Sequence, residues 1–371
     1  MKLLFLTGTR ADYGKIKSLI DQARKSDHYE PSVFITGMHM LSLYGSTHQE
    51  VSGNLASDVP VYKFINQNLT STMDEIVSKT ILGLSDFVKE NHPDYIIIHG
   101  DRVETLSGVI VAALNNIPSV HIEGGEVSGT VDEMIRHSVS KLANFHCVSN
   151  KEAKLRLMQM GESEDNISII GSPDIDIMLS NSLPDISEVK NHYGINFDKY
   201  GVLLFHPVTT ESDETQEQIA TIIKGIKKTN KNFVVIYPNN DLGSHHIISA
   251  YDNLLDNFRV IPSMRFEYFL TLLKEANLII GNSSAGVREA PYFGVPTLNI
   301  GSRQNERSNE SSVIDINFSV DAIEKTTNKF FDFKFPKSES WGGVGTSERF
   351  LSAMKEFDLK KNSTQKVFIN I

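Results

Sequence analysis

Ile280-Gly281-Asn282-Ser283-Ser284-Ala285-Gly286-Val287-Arg288-Glu289-Ala290 follows the apolar run Leu278-Ile279-Ile280. A buried strand passes into a small-residue loop, and Val287-Arg288-Glu289 begins a helical pattern. Such a junction points backbone N–H groups, two hydroxyls and the positive end of a helix dipole at one spot. Two readings stay open: a phosphate seat on Ser283, Ser284 and Gly286, with Glu289 placed to accept from vicinal hydroxyls, or a capped strand-to-helix turn with no ligand.

The same grammar recurs along the chain. Lys2–Leu6, Ser32–Ile35, Tyr95–Ile98, Ser119–Ile122 and Phe145–Val148 are candidate strands in the first half. Val202–Phe205, Phe233–Ile236, Arg259–Ile261, Leu278–Ile280 and Thr297–Ile300 follow in the second. Runs that are apolar on both faces and alternate with helical segments imply parallel sheets covered on each side. The expected fold is therefore α/β, with two doubly wound, Rossmann-like domains. The boundaries are set at 1–172, 173–355 and a tail, 356–371, that folds back on the first domain.

With 371 residues the chain is too long for one ordinary core. Its 46 acidic against 36 basic residues leave a net charge of -10, so there is no electrostatic footprint for nucleic acid or an anionic membrane. A single cysteine, Cys147, excludes an internal disulfide and any cysteine-based metal cluster. His245-His246 lacks carboxylate or cysteine neighbours at ligand spacing, so no metal site is expected. No apolar run approaches the ~20 residues needed to span a bilayer, and the protein is expected to be cytoplasmic.

Ligands of doubly wound sheets bind at the carboxyl ends of strands. After the first strand come Thr7-Gly8-Thr9-Arg10-Ala11-Asp12-Tyr13-Gly14-Lys15. The absence of G-x-G-x-x-G argues against a dinucleotide redox cofactor. Arg10 and Lys15 bracket a turn where they can neutralise a diphosphate; the bland alternative is an ion pair between Arg10 and Asp12. Asp101, beside Arg102, and Glu123, after His121, end two further strands as a pair that environment can tune for proton removal and delivery. Asp132 and Arg136 share a helix face beside glycines 124, 125 and 129, whereas Glu133 and His137 read as a helix-surface pair. In the second half, His206 ends one strand as a core side chain or a general acid/base, and Asn239 ends the next. The loop at Trp341-Gly342-Gly343 follows no strand.

Taken together and in order, GTRADYGK, TGMHM, HGDR, HIEGGEVSGTVDEMIRHS, GSPD, FHPVT, YPNND and GNSSAGVREA resemble the UDP-N-acetylglucosamine 2-epimerases. The resemblance is to the hydrolysing branch that supplies N-acetylmannosamine for sialic acid synthesis. It implies a GT-B fold with the active site in the interdomain cleft, a C-terminal helix crossing back, a UDP-sugar substrate, no cofactor and a homodimer. It also implies that Asp101, Glu123 and Asp132 are acid/base residues assisted by His206. Arg10, Arg102, Ser283, Ser284 and Glu289 match UDP-contacting positions, as do Asn239, Phe266 and Arg303. The implied reaction is anti elimination of UDP to a 2-acetamidoglucal, followed by hydration. Non-hydrolysing relatives usually carry glutamine at the position of Met38, where it binds a second UDP-sugar; methionine cannot make those hydrogen bonds. The alternatives are a non-hydrolysing epimerase, a hydrolysing epimerase of UDP-2,4-diacetamido-2,4,6-trideoxyglucose on a route to legionaminic acid, a GT-B glycosyltransferase, and a silent nucleotide-sugar sensor.

Overall fold

Uninterrupted runs such as Tyr-Ile-Ile-Ile bury both faces of a strand, and only a sheet with helices on each side accepts them. A computed structural model describes the chain except residues 129–130, 180–182, 253, 305–306, 339, 341, 361–364, 368 and 370–371. Among the described residues the chain forms two sheets. The first contains β1 (Lys2–Thr7), β2 (Glu30–Ile35), β3 (Val61–Lys63), β4 (Tyr95–His99), β5 (Ser119–Ile122), β6 (Phe145–Val148) and β7 (Ile167–Ile169). The second contains β8 (Gly201–Leu204), β9 (Phe233–Ile236), β10 (Phe258–Ile261), β11 (Leu278–Gly281), β12 (Thr297–Ile300) and β13 (Val313–Ile316). Their orders are β3-β2-β1-β4-β5-β6-β7 and β10-β9-β8-β11-β12-β13, with parallel pairing in both. In each sheet the order reverses once, between β1 and β4 and between β8 and β11. These are the switch points where doubly wound sheets bind ligands. The fold is GT-B in class.

The chain divides into one unit of Met1–Glu126, Asp132–Asn181 and Ser340–Ile371, and another of Val127–Val131 and Ser182–Glu339. The first unit thus extends past the expected boundary at 172 and reclaims the chain at Ser340 rather than at 356. Two contacts within it account for this. Asp174 reaches Lys15 at 3.1 Å. The Asp176 carboxylate accepts from the N–H groups of Gly345, Thr346 and Ser347, capping the helix Thr346–Asp358 from a distant part of the chain. Phe350, Met354 and Phe357 of that helix lie in the core with Leu3 and Phe5, and Phe357 stacks on Phe145 at 4.5 Å. Farther on, Lys366 donates to Ser140 O and Ala143 O at 3.1 and 2.7 Å. No helix of the described residues is long and apolar enough to cross a membrane. Gly129 and Trp341 fall outside the described residues.

Candidate active site

In the first unit, the loops after β4 and β5 place Asp101 and Glu123 on adjacent strand ends. Glu123 has φ of +61°, a left-handed conformation that is costly for a residue with a Cβ and that persists only when its surroundings enforce it. The surroundings here do so. Its N–H donates to Cys147 O at 2.9 Å, its Oε1 accepts from Ser172 Oγ, and its Oε2 lies 3.0 Å from His99 Nε2 and 3.8 Å from Lys15 Nζ.

Arg136, buried in the helix Val131–Leu142, spends its guanidinium on carboxylates. One terminal nitrogen donates to Asp101 Oδ2, and the other lies 3.2 Å from both Glu126 Oε2 and Glu123 O. Burial alone would lower its pKa; Asp101 and Glu126 outweigh that and hold it above the ordinary arginine value. Glu126 is completed by Ser149 Oγ at 2.7 Å. The side chain of Asp101 is 23% exposed and that of Glu123 3%, so the two acids occupy different environments, as a pair with divided proton duties requires. Asp132 lies in the first turn of the helix that carries Arg136, partly exposed. Glu133 and His137 meet at 3.3 Å on the surface of that helix, the bland reading.

His121 is structural. Its Nε2 faces Gly100 O at 2.8 Å and its Nδ1 faces Ser140 Oγ at 3.1 Å. Because a carbonyl only accepts, Nε2 carries the proton; burial pushes the pKa down to about 3, and the ring stays neutral. Gly124 makes room for it, since a Cβ there would come within 2.7 Å of Nδ1.

The basic residues after β1 separate. Arg10 binds Glu50 through Nε at 2.6 Å, not Asp12, whose carboxylate accepts from Gly8 N and Thr9 N and caps the helix Arg10–Arg24. Lys15 is buried against Asp174 and Glu123, so its charge goes to carboxylates of its own unit rather than pairing with Arg10 around one turn. Arg102 binds Glu104 through Nε at 3.2 Å. The roles of Ser172, Glu126, Asp174 and Glu104 were not legible in local sequence, because each acts through a partner distant in the chain or through its own burial.

In the second unit His206 is held by neutral hydrogen bonds. Asn282 fixes His206, two residues beyond β8, from both sides: its Oδ1 accepts from His206 N at 2.7 Å and its Nδ2 donates to His206 O at 2.8 Å. The His206 ring accepts at Nδ1 from Asn239 N at 3.0 Å. A backbone N–H can only donate, so Nδ1 is bare and the neutral ring carries its proton on Nε2. Gln304 Nε2 and Arg303 reach Asn282 O at 2.8 and 3.4 Å. Phe266 is buried at the start of the helix Phe266–Glu275.

The helix expected from Val287 onward is two single turns, Ser284–Val287 and Glu289–Tyr292, meeting at Arg288. Pro291 explains the break: it has no N–H to give, and its ring opposes the carbonyl of Val287. Ser283 caps the first turn, its Oγ accepting from Ala285 N at 3.3 Å, while Ser284 is partly exposed. Gly286 lets the turn press on β12, where a Cβ would meet Thr297 Cγ2 at 2.7 Å. Glu289 is buried rather than on a helix surface.

Comparison with known proteins gives a consistent result. The family model described as UDP-N-acetylglucosamine 2-epimerase matches residues 21–355. A Neisseria meningitidis serogroup B protein named UDP-N-acetylglucosamine 2-epimerase is 42% identical, covering 100% of this chain and 99% of its own. A Legionella pneumophila protein named UDP-N,N'-diacetylbacillosamine 2-epimerase (hydrolyzing) is 34% identical over 96% of both chains. The solved structure of a Neisseria meningitidis UDP-GlcNAc 2-epimerase bound to UDP-GlcNAc aligns with a TM-score of 0.79 at 18% identity, covering 96% of this chain and 100% of that one.

Proposed function

The chain belongs to the UDP-N-acetylglucosamine 2-epimerase family, and we propose that within it the protein is a hydrolysing enzyme, turning UDP-N-acetylglucosamine and water into N-acetylmannosamine and UDP. The observation that carries the reading is the pair Asp101 and Glu123, two carboxylates on adjacent strand ends in different environments. C2 of an N-acetylhexosamine is not acidic, so losing its proton must be coupled to departure of a stabilised leaving group. One carboxylate removes the C2 proton as the C1–O bond to UDP breaks, leaving 2-acetamidoglucal. Water then adds its oxygen at C1 while a proton is delivered to the opposite face of C2. Asp132 assists the proton transfers. His206, with its proton on Nε2, donates toward the departing phosphate oxygen.

In this reading Arg10, Arg102, Ser283 and Ser284 hold the diphosphate, the buried Glu289 accepts from the ribose, and Asn239, Phe266, Gly286 and Arg303 shape the nucleotide site. Lys15 and Arg136 act on the carboxylates. Hydrolysis rather than reversible epimerisation is supported by Met38, which lies in an apolar cluster with Leu41 and Tyr44, where a side chain binding a second nucleotide sugar would have to be polar. The same chemistry on UDP-2,4-diacetamido-2,4,6-trideoxyglucose is the second reading, supported by the 34% identical relative.

Incubation with UDP-N-acetylglucosamine in heavy water, followed by proton NMR, tests the assignment. Free N-acetylmannosamine carrying deuterium at C2 should accumulate with UDP. Accumulation of UDP-N-acetylmannosamine without free UDP would overturn hydrolysis, and retention of the C2 hydrogen would overturn elimination and addition. If only the diacetamido sugar turns over, the second reading replaces the first.

A further inference from the structure

Glu104 lies in the first turn of the helix Val103–Leu114, at the switch between β1 and β4, three residues after Asp101. It is only 2% exposed. Its Oε2 accepts from Arg102 Nε at 3.2 Å, and its Oε1 is buried with no hydrogen-bond partner among the described residues. Two glycines admit the side chain. A Cβ on Gly37 would come 2.6 Å from Oε1, and one on Gly8 would come 3.0 Å from Cδ. The loops after β1 and β2 thus leave a slot that the carboxylate fills.

Stability does not account for this acid. A glutamate in a first turn gains a little from the helix dipole, but burying a carboxylate with one oxygen unserved costs more than that returns. What the arrangement secures is Arg102. An arginine side chain has many rotamers, and fixing it at the moment of binding weakens binding. A carboxylate on Nε sets the plane of the guanidinium beforehand.

We propose that Glu104 is a positioning residue that holds Arg102 in the orientation needed to receive the diphosphate of the nucleotide. The inference rests on the proposed function, which places Arg102 on that diphosphate. Glu104 touches no reacting atom; it acts through Arg102.

The test measures calorimetric affinity for UDP and for uridine, with melting temperature, in wild type and five variants. Glu104→Ala should weaken UDP binding about tenfold, the scale of one preorganised charge-assisted contact, with uridine affinity and melting temperature maintained. Glu104→Gln keeps the shape and an oxygen that accepts from Nε, so it should retain UDP affinity within about threefold. Glu104→Asp keeps the charge but withdraws it by one methylene and should behave like the alanine variant, which keeps the test alive if the latter folds poorly. The double variant Glu104→Ala/Arg102→Ala should bind UDP no more weakly than Arg102→Ala. Equal or tighter UDP binding by Glu104→Ala and Glu104→Asp, or additive losses in the double variant, would overturn the positioning role. Unchanged UDP affinity in Arg102→Ala would instead overturn the diphosphate assignment beneath it.

Discussion

At the carboxyl ends of β4 and β5 buried charged groups bond one another, side chain to side chain; His206, beyond the end of β8, is held instead by neutral hydrogen bonds. Asp101, Glu126 and Arg136 form one interdependent set in the first unit, and Glu123, Lys15 and Asp174 form another. Around His206, by contrast, Asn282 and Asn239 each satisfy main-chain or ring atoms locally. Buried charges tolerate the loss of a partner badly, because the partner left behind has no water to turn to. Neutral groups hydrogen-bonded to backbone lose about one bond at a time. The contrast fits the proposed chemistry, in which the carboxylates need tuned charge and His206 needs a fixed tautomer.

The largest effect that would test this contrast is on turnover. Asp101→Asn and Glu123→Gln preserve size but cannot carry the proton, and each should reduce the rate by roughly 10²–10⁴-fold while calorimetric UDP affinity stays near wild type. Near-normal turnover in both would reduce the charged sets to structural ion pairs. Next is Arg136→Met, which fills the same space but strips the cation from Asp101 and Glu126. Denaturant unfolding should show a loss of about 3–5 kcal/mol; a loss below about 1 kcal/mol would mean the carboxylates are not held by this arginine. Smallest is Asn282→Ala, which leaves the N–H and C=O of His206 without their side-chain partner. It should cost about 1–3 kcal/mol by the same measurement, and a cost equal to that of Arg136→Met would erase the distinction between the two regions.

The strands read most sharply from the sequence are fully buried interior ones. Ser119–Ile122, Phe145–Val148, Phe233–Ile236 and Thr297–Ile300 appear residue for residue as β5, β6, β9 and β12. β3 and β13 had no such signal. They are edge strands, and Val61-Tyr62-Lys63 and Val313-Ile314-Asp315-Ile316 keep polar or half-exposed residues where an interior strand would be apolar throughout. Candidate site residues were legible as positions, since alternation of strand and helix marks every carboxyl end. Their partners were not. Arg10 finds Glu50, 40 residues away, and Lys15 finds Asp174 across the unit; neither pairing has a local periodicity to read. Pro291 is different: a helix breaker stood in the sequence, yet the helix expected from Val287 onward took no account of it, and the turn splits at Arg288.

The helix Thr346–Asp358 has a bearing on how the protein is made. The second unit is apart from five residues one continuous stretch, Ser182–Glu339, complete in the nascent chain before the last helix is translated. The first unit is not. Its sheet is synthesised first, yet Phe350, Met354 and Phe357, fully buried beside Leu3 and Phe5, arrive last. Until the ribosome delivers them, a hydrophobic opening is left on the amino-terminal sheet, and a message truncated near codon 340 would yield a finished second unit attached to an unsealed first one. Such a product would offer exposed apolar surface to chaperones and proteases.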